Sequence, residues 1–183
     1  MNEHEFLLKF QETLRKEEYD CSLVEASEEI PYERLLVFLG LDEKERERIL
    51  EVTALKQEFM KELGLVEPKE AHLLRVQLQV GFPFKIQPTA SAQIASLVCY
   101  LNRMVELPGF EMNEIDLQLF YRYVLMYGEK RFNETLFISI VGLIMLSIEL
   151  FGSTFDKVAT GEVTFNELLE QIIEIAKNTK DEG

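Results

Sequence analysis

The sequence predicts an α+β protein in a single domain, residues 1–183, with an antiparallel sheet of about five strands packed on helices. Three observations predict it. From His72 to Phe84, the residues Leu74, Val76, Leu78, Val80, Phe82 and Phe84 alternate with Leu73, Arg75, Gln77 and Gln79, the period of a strand with one face in the core. Stretches of helical period bracket the strands, with Phe6, Leu7, Phe10 and Leu14 near the start and Leu168, Leu169, Ile172, Ile173 and Ala176 near the end. Between them Thr135 to Ile148 (TLFISIVGLIMLSI) carries no charge. At about 14 residues it has the length of a helix buried in protein and falls below the roughly 18 that a membrane span needs. Asn133 and Glu134 close one end of the run and Glu149 the other. A helix apolar around its whole circumference must be covered on every side, by sheet, by other helices or by a second copy.

Taken in order, Asn2 caps the first helix, Glu5 completes a capping-box pair, and the helix is predicted to end near Tyr19. Glu33 to Leu41 and Ile49 to Leu55 read as two strands joined by the charged turn Asp42 to Arg48 (DEKERER). The Glu, Lys and Arg content of Glu43 to Leu63 also suits a helix, and short apolar runs do not settle the period. The strand from His72 should lose regular pairing near Pro83, which has no amide hydrogen to give the ladder. Pro88 and Thr89 open a second helix with Ile94, Leu97, Val98, Leu101, Met104 and Val105 on one side, and Pro108 and Gly109 stop it. Phe110 to Met112 and Leu117 to Tyr127 (LQLFYRYVLMY) flank the polar tip Asn113 to Asp116 as a hairpin of unequal arms. In its second arm Leu117, Leu119, Tyr121, Tyr123, Leu125 and Tyr127 point one way; Phe120, Val124 and Met126 point the other, beside Gln118 and Arg122. After the uncharged helix, Thr164 and Glu167 form the capping box of the last one.

A hydrophobic content of 47% is that of an ordinary globular protein. The formal charge of -14 opposes binding to nucleic acid or to anionic lipid and favours basic or apolar partners. Two cysteines, Cys21 and Cys99, are too few for a secreted disulfide scaffold, and Met1 to Lys16 lacks the continuous apolar core of a signal peptide. A cytosolic protein with free thiols and no membrane insertion is expected. Cys99, next to Val98 on its helix, reads as a small, inert core thiol.

Zinc needs three or four ligands at suitable spacings, and His4, His72, Cys21 and Cys99 are far apart; His72 reads as a surface histidine at the start of a strand. The chain has no nucleophile elbow, glycine-rich phosphate loop or zinc-protease helix motif. Carboxylate runs such as Asp42 to Glu47 read as solvated turns, so no catalytic residue, cofactor or metal is expected. Asp156 to Glu167 (DKVATGEVTFNE) has Asp, Gly and Glu at positions 1, 6 and 12 of an EF-hand loop, but Val158 and Thr160 stand at positions 3 and 5, where a carboxylate is missing. A helix ended by Gly161, a short turn and the Thr164 cap explain the same residues.

Three segments resemble the YbjN-like branch of the type III secretion chaperone-like fold. Arg75 to Phe84 looks like that group's central strand, entering a helix through Pro88. Gly109 to Tyr123 (GFEMNEIDLQLFYRY) is similar to its hairpin of glycine, aromatic, polar tip and alternating Tyr and Arg. Val158 to Ile172 (VATGEVTFNELLEQI) resembles its closing glycine, spacer and capped helix. The resemblance covers most of the chain from about Leu35 onward, and the uncharged helix departs from it in being more apolar. It implies the order α-β-β-β-α-β-β-α and a non-enzymatic protein that binds other proteins. Secretion chaperones hold segments of client chains, and YbjN-like members are associated with regulation.

The resulting expectation is a chaperone or adaptor for a protein or peptide client, which adds to an exposed sheet edge and meets Leu117, Leu119, Tyr121, Tyr123, Tyr127, Phe82 and Phe84. The rival expectation is a small-molecule sensor or an enzyme with a cavity beneath the sheet, where Arg75, Gln77, Tyr121 and Arg122 would converge. Three apolar helical stretches compete for one sheet face, so the surplus is expected to serve a client or a homodimer.

Overall fold

A computed structural model describes the backbone of residues 1–56, 73–128 and 131–181, with side chains described no further than residue 174. Among these residues the chain is α+β, with four α-helices and one six-stranded antiparallel sheet. The elements are α1 (Glu3–Lys16), β1 (Cys21–Val24), β2 (Arg34–Leu41), β3 (Glu47–Lys56) and β4 (Leu74–Lys85), then α2 (Ser91–Leu101) after a 3-10 turn at Pro88–Ala90. β5 (Phe110–Asn113), β6 (Gln118–Tyr127), α3 (Glu134–Ala159) and α4 (Phe165–Asp181) complete the chain. The strands lie in the order β1-β2-β3-β4-β6-β5, so β1 and β5 are the edges.

The sheet has one strand more than expected. β1 is only 4 residues long, too short for an alternation to stand out, yet it pairs with β2 from Cys21 opposite Val37 to Val24 opposite Arg34. Glu47–Lys56 is a strand, which settles that part of the helix-or-strand question; residues 57–63 and His72 lie outside the described residues. Pro83 acts on pairing as anticipated, since the β4–β6 register runs to Gly81 opposite Phe120, breaks, and resumes at Lys85 opposite Gln118. Gln118 bridges the gap by donating from Nε2 to the Phe82 carbonyl at 2.6 Å.

Helix ends differ from the sequence reading for local reasons. The Asn2–Glu5 capping box forms, but α1 stops at Lys16, where Glu18 turns the chain with φ 63. α2 stops at Leu101 rather than near Val105. Asn102 explains this: its Oδ1 accepts from the amides of Gly109 and Phe110 and its Nδ2 donates to the Phe110 carbonyl, so the helix end is tied to β5 and Met104 is left in solvent. Gly109 is required there, because a Cβ would sit 2.7 Å from the Tyr121 ring. Cys99, expected in the core, is exposed on α2.

The largest correction concerns the uncharged run. It is the first part of a 26-residue helix that continues past Glu149 to Ala159. By length and composition α3 would be long enough to cross a membrane, so run length alone does not decide its environment. Nor is α3 covered all round. Phe137, Ile140, Val141, Ile144, Ile148, Phe155 and Val158 are buried at helical spacing, while the opposite side is open.

The core lies between one face of the sheet and α1, α2 and α3. At one end Phe137 from α3 meets Phe6 and Phe10 from α1, Tyr127 from β6, and Phe132. At the other, Phe155 meets Phe82 from β4 and Phe110 from β5. The aromatic residues thus fasten α3 to the sheet at both ends.

Candidate functional site

The seven aromatic-strand residues expected to meet a client do not form an open face. Phe82, Leu119, Tyr121 and Tyr127 are buried beneath the helices, and Phe84, Leu117 and Tyr123 are partly buried against the same core. β6 is also flanked, by β4 along most of its length and by β5 from Gln118 to Tyr121, so its first half has no free edge. Tyr121 donates its hydroxyl hydrogen to the Leu107 carbonyl, a bond that holds its ring inside. Leu117 sits in the turn before β6 with φ 50.

The four polar residues of the rival reading do not converge either. Arg75, Gln77 and Arg122 stand on the sheet face away from the helices, with Gln79 opposite Arg122, whereas Tyr121 points to the other face. Gln77 donates to Gln79 at 3.1 Å, and Arg122 holds Glu111 through two bonds at 2.7 and 2.8 Å.

A cleft does exist, but at the end of the sheet. It has a volume of about 100 Å³ and lies between the β2–β3 turn, Phe82 to Phe84, and α3 around Ile148 to Lys157. The charged turn that reads as a solvated loop is in fact its wall. Asp42 organises the turn by accepting at Oδ1 from the amides of Lys44 and Arg46, at 2.8 and 2.9 Å. Arg46 then reaches Asp42 Oδ2 from Nε at 2.7 Å and Asp156 Oδ2 at 2.7 Å, with its guanidinium 5.5 Å from the centre of the Phe84 ring. Lys44 reaches the same Asp156 oxygen at 2.7 Å, and Arg48 bonds Glu149 at 2.5 Å. Asp156, the first position of the EF-hand-like stretch, is therefore a buried carboxylate committed to two cations. Gly161 has φ 73 and Thr164 and Glu167 exchange bonds as a capping box, so helix, turn and cap account for that stretch.

These pairs clamp the turn onto α3. Burial pushes the Asp42 carboxyl up, but the Arg46 side chain, the amides of Arg46 and Lys44, and the Arg46 charge together hold it below its ordinary value. A depressed carboxylate contributes stability above its unfolded pKa, about 3.9, and that contribution is lost as pH falls through the lower folded value. Asp42→Asn is therefore expected to lower the urea midpoint at pH 7, with the gap to the parent protein closing in acid, once the pH has fallen below the ordinary carboxylate range and through the depressed folded value. An equal gap at pH 7 and in acid would contradict this role.

The second candidate is the outer face of α3. Leu136, Leu146 and Leu150 are 36%, 53% and 61% exposed, Ser139 and Gly142 are exposed between them, and Leu143 is half-buried. A Cβ on Gly142 would meet nothing within 4 Å. This is one apolar strip on a single side of the helix, without a charge from Thr135 to Ile148. The sequence shows the run but not its two faces, since leucine serves both. The only signal is size: Phe137, Ile140, Val141 and Ile144 face in, while Ser139 and Gly142 face out.

α4 adds a second apolar surface. Its start is docked by the Phe165 ring against Tyr100 and by the Phe165 amide on Gln93, but Ile172 and Ile173 are 46% and 53% exposed further along. Among the described residues no group of three or more His, Cys, Asp or Glu is arranged to hold a metal ion. No protein-family model matches the sequence, and a search of curated proteins finds no match.

Proposed function

We propose that the protein is a non-enzymatic protein-binding module, a chaperone or adaptor of the YbjN-like, type III secretion chaperone-like kind. It works in the cytosol, with α3 packed in protein rather than in lipid. The observation that carries this reading is the charge-free apolar strip on the outer face of α3, which is surplus to the core. The role first given to the aromatic strands passes to this strip, because their side chains are occupied in the core. Strand addition by a client, where it occurs, falls to β1 or β5.

The sensor or enzyme reading is less well supported. The cleft of about 100 Å³ is small beside the roughly 300 to 1,000 Å³ of ligand sites, and its acids and bases are mostly paired with one another. The test is aggregation suppression without ATP, with a chemically unfolded protein diluted into the purified chain. Suppression that saturates near equimolar ratio is expected; no suppression at a large excess would overturn the proposal.

A further inference from the structure

We infer that the outer face of α3 takes a basic amphipathic helix from a partner polypeptide. This rests on the protein-binding reading and names the class of client. Two observations select the occupant. The first is spacing, for Leu136, Ser139, Leu143, Leu146, Leu150 and Ser153 follow each other at intervals of three and four, the seam of a two-helix contact. An extended strand repeats every second residue and does not match that seam.

The second is charge. The strip itself is neutral; at one end Glu134 pairs with Lys16 and at the other Glu149 pairs with Arg48, each carboxylate keeping 58% of its side chain exposed, and Lys157 is exposed one turn past Ser153. Glu43 joins the second end, where it accepts from Ser153 Oγ at 2.9 Å. The chain as a whole carries -14, a field that draws a basic partner in and orients it. A second copy fits less well. It brings the same -14, and a strip about 22 Å long and one helix wide is a small part of the roughly 800 Å² that each side of a stable dimer buries. A basic helix gains both the apolar contact and the attraction of the chain's net charge.

The probe is a labelled synthetic helix of about 18 residues, long enough to lie along the strip, with leucine on one face and lysine on the other. Its counterpart has glutamate for lysine. Fluorescence anisotropy is expected to show binding of the Leu/Lys helix alone, weakened about tenfold or more by Leu146→Asp and by high salt. Ser139→Lys, at an exposed position one turn into the strip, should weaken it likewise, and Ile172→Asp on α4 should leave it unchanged. Retention of a folded circular dichroism spectrum qualifies each variant. Equal binding of both helices, binding indifferent to Leu146→Asp and Ser139→Lys, or no binding would overturn the inference. So would a dimer in sedimentation that Ser139→Lys dissolves, since the occupant would then be a second copy. Aggregation suppression that survives both variants would remove this site while leaving the protein-binding reading intact.

Discussion

Phe137→Ala is expected to remove about 3 to 5 kcal/mol of folding stability, read as the loss in urea unfolding free energy at constant slope. Phe137 is fully buried, with its ring 5.0 Å from Phe6, 5.1 Å from Phe10 and 5.1 Å from Tyr127, and stacked on Phe132 at 4.8 Å. Alanine would leave a cavity where α1, α3 and the end of β6 meet. Four aromatic rings cannot close it without losing their own edge contacts. A loss below about 1 kcal/mol would mean that this end of the core is loose, and that α1 is not fastened to the sheet as described.

Ile144→Asp should be more damaging still. Ile144 has no exposed surface and lies at the middle of the buried stripe of α3, with Val141 and Ile148 a turn to either side. A carboxylate there would lie in the hydrophobic core, and the cost of burying it, several kcal/mol, is comparable to the whole stability of a domain of this kind. The expected result is loss of the cooperative thermal transition at neutral pH. Retention of a normal melt would show that water reaches this face of α3.

Much of the fold is legible in the sequence because its elements bury one face and wet the other. β4 alternates so regularly that even the break at Pro83 is readable, and the caps at Asn2 and Thr164 declare themselves by residue type. What is not legible depends on contacts distant in sequence. β1 exists because β2 offers it a partner, and the end of α2 is set by Asn102 reaching Phe110. The charged turn looks solvated because its partner Asp156 lies 110 residues from Arg46. The strip on α3 is hidden for a different reason. A helix with leucine outside and phenylalanine and isoleucine inside carries no charge from Thr135 to Ile148 to mark its outer face, so the contrast between faces is weak in that run.

α3 has one face buried in the core and an opposite face that is exposed. The direct measurement is the urea unfolding free energy of Leu146→Asp, two residues from Ile144 on the same helix. With Leu146 53% exposed, the expected change is within about 0.5 kcal/mol, as for a surface substitution, in a chain that still unfolds cooperatively. A loss of several kcal/mol, approaching that of Ile144→Asp, would place Leu146 inside a packed interface and contradict a free outer face on α3.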